Sequence, residues 1–118
     1  MVDLQHPCPC CGHRTLPAAG AYDLCPVCFW EDDPNQLHHP RSADGANGKS
    51  LIEAQQAYLR IAAIDEIFSA RVRPARDREL LDDGWYPIAP EQDPDTEDAH
   101  PDRPIGDYTD LYWWGRRS

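Results

Sequence analysis

Five cysteines, Cys8, Cys10, Cys11, Cys25 and Cys28, stand within 21 consecutive residues of a 118-residue chain, and none lies elsewhere. Four of them form two Cys-x-x-Cys pairs, Cys8 with Cys11 and Cys25 with Cys28, with thirteen residues between the pairs. Each pair brings two sulfurs onto one tight turn. Two such turns facing each other make a cage for a tetrahedral metal, at metal–sulfur distances of about 2.3 Å. Zinc is favoured over iron for this donor set. An odd cysteine count and a clustered pattern weigh against a disulfide framework. Pro9 and Pro26 each follow the first cysteine of a pair and fix φ there. Gly12 follows Cys11, where a positive φ turns backbone N–H groups toward thiolate sulfur. Phe29 holds that place after Cys28, which predicts a tighter or less regular second turn.

Cys10 is the spare thiol, expected as a small buried side chain that fills the first turn. The alternative is a reactive thiol beside the metal thiolates. Cys8, Cys11, Cys25 and Cys28 already complete a four-ligand shell. His6, His13, His38 and His39 are therefore expected at the surface or beside the ligands. Four protein sulfurs leave no open position for water, so the metal is expected to be structural and hydrolytic zinc chemistry is disfavoured. A thiol enzyme using Cys10 lacks a placed base and oxyanion donor. Gly45-Ala46-Asn47-Gly48-Lys49-Ser50 imitates a phosphate loop but fails its spacing, because the first glycine required stands as Ala43. Glu31, Asp32 and Asp33, followed by Pro34, read as a polar turn. Trp30 reads as core over the second cysteine turn.

The elements that must hold this site are few. Residues 6–33 read as a compact unit of short extended pieces, and 34–49 as a loop. A helix is expected over 50–70, opened by the capping box Ser50-x-x-Glu53. Leu51, Ala54, Tyr58, Ile61 and Phe68 give it an apolar face, imperfect at Asp65. Pro74 stops it, and a short second helix is expected over 77–84, ended by Gly84. With 12 Pro and 7 Gly in the chain, much of the remainder must be turns and extended segments.

Net charge is −10, and residues 77–110 hold twelve acids against only Arg78 and Arg103. Phosphate backbones repel such a chain, which argues against nucleic acid as partner. The arginines at 60, 71, 73, 76 and 78 are expected to pair with the acidic stretch instead. No apolar run reaches the roughly 18 residues of a membrane span, and the first residues lack the pattern of a signal peptide. Both features lead to the expectation of a soluble, cytoplasmic protein. Residues 107–118 gather Tyr108, Leu111, Tyr112, Trp113 and Trp114, too apolar for a solvated tail. They are expected to dock on their own domain or to form an interface, including one between copies of the chain.

Residues 6–33, with His-Pro-Cys-Pro-Cys-Cys-Gly-His at one end and Tyr-Asp-Leu-Cys-Pro-Val-Cys-Phe-Trp-Glu-Asp-Asp at the other, resemble the bacterial cysteine-rich CPCC family. The resemblance continues through Gly45-Ala46-Asn47-Gly48, Ser50-Leu51, the helix and Val72-Arg73-Pro74, to about residue 76. It implies a zinc-ribbon-like fold and no particular activity. The expected protein is small α+β: a zinc ribbon with rubredoxin-like knuckles packs against one main helix over residues 1–76. An acidic, Pro-rich extension follows over 77–118. Cys8, Cys11, Cys25 and Cys28 are the expected ligands of one zinc. The expected role is protein interaction, in the manner of an immunity-type partner, rather than catalysis. Rubredoxin-like electron transfer through iron is the first alternative, and thiol or redox chemistry at Cys10 the second.

Overall fold

A computed structural model describes residues 5–88 and Trp114. β1, His6–Pro7, pairs antiparallel with β2, Arg14–Leu16, with His6 opposite Leu16, Pro7 opposite Arg14 and a register shift between them. The first cysteine turn is the connection between these strands. A second hairpin, marked by the bridge between Leu24 and Glu31, carries the second cysteine turn. The thirteen-residue gap therefore spans the return from one turn to the other, and the two turns face each other across it.

Asp33 caps a helix of five residues, α1 (Pro34–His38), by accepting the Asn35 N–H at 2.8 Å, and Pro34 opens it. This segment was expected as loop. A Pro at the first helical position after an acidic cap is the local reason it winds. The main helix, α2, spans Leu51–Ile61 and opens on the expected capping box: the Ser50 hydroxyl accepts from Glu53 N–H, and the Glu53 carboxylate accepts from Ser50 N–H. It ends nine residues short of the expected limit at residue 70. Ala62 turns left-handed at φ 62°, and Ile64 N–H then donates to Cys28 O at 3.0 Å, drawing the chain onto the second cysteine turn. The Lys49 ammonium, paired with the Asp65 carboxylate at 3.2 Å, holds this exit in place. The apolar pattern resumes in a 3-10 helix, Glu66–Arg71, capped by Asp65.

The core is built around the cysteines. Leu16, Trp30, Leu37, Leu51, Ala54 and Ile64 are buried with all five of them. Of the expected helix face, Leu51 and Ala54 are fully buried, whereas Tyr58, Ile61 and Phe68 are half-buried. No helix forms over 77–84. This stretch lies in turns against the first hairpin, with Leu81 bridged to His13 and Arg14 N–H donating to Leu80 O at 2.9 Å. The composition boundary at residue 77 thus falls within continuous packing. Ile88 and Trp114 join the same core. The other residues of the expected aromatic segment, and residues 89–106, lie outside the described residues. Among the described residues no helix is long and apolar enough to cross a membrane.

Candidate metal centre

Both cysteine turns close in the same way. Gly12 N–H donates to Cys8 O at 2.7 Å, and Phe29 N–H donates to Cys25 O at 2.9 Å. Gly12 has φ 81° and Phe29 has φ 77°. The second turn is therefore as regular as the first, against expectation, and Phe29 occupies a left-handed conformation that a side chain adopts at a cost. Its ring stacks on Phe68, centroids 4.2 Å apart, which helps to hold it there.

The Sγ atoms of Cys8, Cys11, Cys25 and Cys28 all lie within 4.8 Å of one another, and all four residues are buried. Cys8 Sγ is 3.6 Å from Cys28 Sγ, and Cys11 Sγ is 3.8 Å from Cys25 Sγ. A tetrahedron with metal–sulfur bonds of about 2.3 Å has edges of about 3.8 Å. The two short contacts cross between the turns, so each turn contributes to opposite edges of one cage. The four cysteines are positioned to bind a metal ion.

Their electrostatics fit that use. Burial pushes the Cys8 and Cys28 thiols well above the ordinary range, and hydrogen bonding among the sulfurs, led by Cys25, raises Cys11. Cys25 goes the other way: hydrogen bonds from Cys11, Cys28 and Cys8 favour its thiolate, with a smaller contribution from Thr15. The Thr15 hydroxyl lies 3.1 Å from Cys25 Sγ. Four thiolates in a buried volume need a compensating positive ion.

The other sequence candidates fall outside the cage. Cys10 is fully buried and is not one of the four clustered sulfurs, although it lies close enough to Cys28 to help raise that thiol. The His13 ring donates through Nδ1 to Glu79 O at 2.8 Å. His38 and His39 stack on each other at the end of α1, and His6 lies in β1. Lys49 and Ser50, from the imitation phosphate loop, hold the exit and entrance of α2. Asp32 and Asp33 are buried, at 1% and 3% exposure, rather than forming a solvated turn. Arg73 pairs end-on with Glu79 through Nη1 and Nη2, at 2.7 and 2.8 Å, the kind of pairing expected between the arginines and the acidic stretch.

Residues that support the cage from a distance escaped the sequence reading. The Gln55 amide, buried in α2, donates to Pro9 O at 2.9 Å. Trp85 lies so close to Gly12 that a Cβ there would sit 2.4 Å from the indole. Asp82 N–H donates to Gly12 O at 2.8 Å. Polar residues at helical positions and a tryptophan after Gly84 carry no local signal of such contacts.

A family model described as "Cysteine-rich CPCC" matches residues 6–79, more than half of the chain. The matched span covers both cysteine turns, α1, α2 and the 3-10 helix, and closes at Glu79, which holds Arg73 and the His13 ring. No curated protein matches the chain.

Proposed function

The chain belongs to the cysteine-rich CPCC family, and on that footing we propose that it is a small zinc-ribbon-like module whose zinc is structural and whose task is to bind another protein. The observation that carries the reading is the cage: four buried sulfurs within 4.8 Å of one another, with two opposite pairs at 3.6 and 3.8 Å, the edge length of a tetrahedral site. Cys8, Cys11, Cys25 and Cys28 are the ligands in this reading. When bound, zinc supplies charge compensation and a cross-link between the two hairpins. With four sulfurs in its shell it offers no position for a reacting water.

Several features support an interaction role. Leu59 and Ile67 are 59% and 74% exposed, and an open cleft of about 520 Å³ is lined by His13, Val27, Tyr58, Ile61, Val72 and Pro74. Burial and the neighbouring sulfurs hold the Tyr58 phenol protonated, so it enters that cleft as a neutral hydrogen-bonding group. The net charge of −10 favours a protein partner over nucleic acid. Five unpaired thiols suit a reducing compartment, the cytoplasm.

The test is metal analysis of the purified protein, with its visible spectrum, followed by removal of the metal. One zinc per chain, no colour, and unfolding on chelation are expected. A coloured protein carrying iron would move the reading to electron transfer. A folded protein that binds no metal would overturn it. Affinity purification from the native host then identifies the partner.

A further inference from the structure

The two cysteine turns are held by different parts of the chain. The second is fixed from within the family-matched span, by Ile64 N–H on Cys28 O at 3.0 Å and Arg73 N–H on Pro26 O at 3.2 Å. The first is gripped largely from outside it. Asp82 N–H donates to Gly12 O, and the Trp85 indole lies on the Gly12 Cα. A second grip runs through Gln55, whose amide nitrogen holds Pro9 O and whose Oε1 accepts Ile88 N–H, each at 2.9 Å. Residues 79–88 therefore bear on the first turn directly at Gly12 and, through Gln55, at Pro9.

Beside Glu79 O on the His13 ring and Leu80 O on Arg14 N–H, one carboxylate joins this segment to three other parts of the chain. Asp82 Oδ1 accepts from Arg14 Nε at 2.9 Å, and Oδ2 accepts from Trp114 Nε1 at 2.7 Å. Trp85 N–H donates to Asp82 O at 3.0 Å, and Gly84 at φ 75° makes the bend that delivers the indole. Asp82 thus ties β2, the first turn and the C-terminal tryptophan together. The Arg14 and Asp82 side chains are 36% and 23% exposed, so water can compete for the pair. Leu80 and Leu81 are 59% and 48% exposed, so the apolar hold of the segment comes from Trp85 on Gly12 and from Ile88 and Trp114 at the core. A segment with such features opens locally without global unfolding.

We propose that Asp82 is the latch of a strap, residues 79–88 with Trp114, that closes over the first cysteine turn and sets how fast the centre exchanges its metal. A chelator must reach a buried sulfur cage, and one Cys-x-x-Cys turn must give way to let the metal leave. With the strap down, Gly12 is held directly and Pro9 by a Gln55 amide that Ile88 N–H fixes, and the first turn cannot peel back. With it lifted, Cys8 and Cys11 become the weak side of the cage. The inference rests on the metal-binding reading above, and it adds a regulated first turn: a partner that draws Trp114 away from Asp82 would release the metal faster.

The experiment uses the full chain loaded with zinc and mixed with excess chelator, zinc transfer being followed by absorbance. Asp82→Ala removes both side-chain bonds. Trp114→Phe keeps the aromatic bulk and removes only the N–H. Asp82→Ala is expected to hold one zinc with an unchanged circular dichroism spectrum and to release it about tenfold faster, the loss of a charge-assisted bond expressed as a rate. Trp114→Phe is expected to show a smaller rise. Hydrogen exchange is the second readout: the amides of Gly12, Arg14 and Ile88 are expected to lose protection while those of Ala54 and Ala62 keep theirs. Equal release rates from all three proteins, or protection lost equally in α2, would overturn the latch. If Asp82→Ala does not fold, Trp114→Phe decides by the same two readouts. A wild-type chain that takes up no metal overturns the metal-binding reading and the latch together. One that loads normally and releases at the variants' rate overturns the latch alone.

Discussion

The two cysteine turns reach one conformation by different chemical routes. After Cys11 the left-handed residue is Gly12, which adopts φ 81° without steric cost and leaves room for Trp85. After Cys28 it is Phe29, which adopts φ 77° against its own Cβ and is buttressed by Phe68. The backbone bond closing each turn is the same. The metal-binding geometry therefore demands the dihedral, not the glycine. Where glycine is present, the space it leaves is filled by a strap from a distant part of the chain. Where phenylalanine is present, its own ring supplies the packing.

The most damaging way to break the comparison is to remove a sulfur. Cys25 Sγ lies 3.8 Å from Cys11 Sγ and 3.1 Å from the Thr15 hydroxyl, so Cys25→Ser removes one edge of the cage as well as a ligand. Loss of bound metal and of the folded state is expected, since structural zinc contributes on the order of 10 kcal/mol to folding in small domains. Cys10→Ser is expected to keep the metal, because Cys10 stands outside the four-sulfur group. Metal content of the two purified variants checks this; equal loss from both would refute the ligand assignment.

Gly12→Ala tests the first turn. A Cβ there meets the Trp85 ring at 2.4–2.8 Å on top of the positive φ. Gly48 offers the matched control, with φ 71° and no atom within 4 Å of its would-be Cβ. Gly48→Ala is expected to cost about 1 kcal/mol for the dihedral alone, and Gly12→Ala about 3 kcal/mol through dihedral and overpacking together. Equal shifts in denaturant midpoint would show that Trp85 does not seat on the turn.

Much of the cage was legible because its information is local. Cys-Pro-x-Cys spacing, Pro9, Pro26 and the Ser50–Glu53 box each act within one turn of chain. The end of α2 was not legible, because the stripe running from Leu51 to Phe68 continues in sequence while the backbone is diverted by Ile64 bonding to Cys28 O. α1 went unread because five residues are too few to show periodicity, although Asp33-Pro34 is a start signal. Glu31, Asp32 and Asp33 read as a polar turn because such a run before Pro34 usually is one; the burial of Asp32 and Asp33 depends on hairpin and cap contacts that the run does not announce. The strap was invisible for a further reason: Asp82, Trp85 and Ile88 act through contacts more than thirty residues distant in sequence, and no local pattern encodes them.

Asp32 distinguishes the second hairpin by pH. Its carboxyl is buried beside the hairpin, accepts Gly20 N–H at 2.7 Å through Oδ2, and has no partner at Oδ1 among the described residues. Burial, helped by the charges of Asp23 and Asp33, raises its pKa to about 6 against the lowering pull of Gly20 N–H. A carboxyl whose folded pKa lies above its unfolded value binds its proton more tightly when folded. The contribution is full below the unfolded value and is lost as pH rises through about 6. Asp32→Asn keeps an acceptor for Gly20 and cannot ionise. Its stability relative to wild type is expected to improve by about 2 kcal/mol between about pH 4 and pH 7. Melting both proteins with the same metal content across that range gives the difference, and parallel pH profiles would show that Asp32 is solvated.

The smallest effect is the sharpest test, because it asks whether Phe29 stays left-handed for the turn or for its stack. Phe68 is only half-buried, so Phe68→Ala is expected to cost less than the roughly 3–5 kcal/mol of a fully buried ring. In a cycle of Phe29→Ala, Phe68→Ala and the double variant, stacked rings should couple by about 1 kcal/mol. Phe29→Gly should then be more stable than Phe29→Ala by about 1 kcal/mol, because glycine relieves the positive φ that alanine retains. That gain is the mirror of Gly12, where the same exchange in the opposite direction is costly. If Ala and Gly at position 29 prove equally stable, the second turn does not need the left-handed residue. Its likeness to the first would then rest on the stacking of Phe29 and Phe68, and the double-mutant coupling should exceed the value for a stack alone.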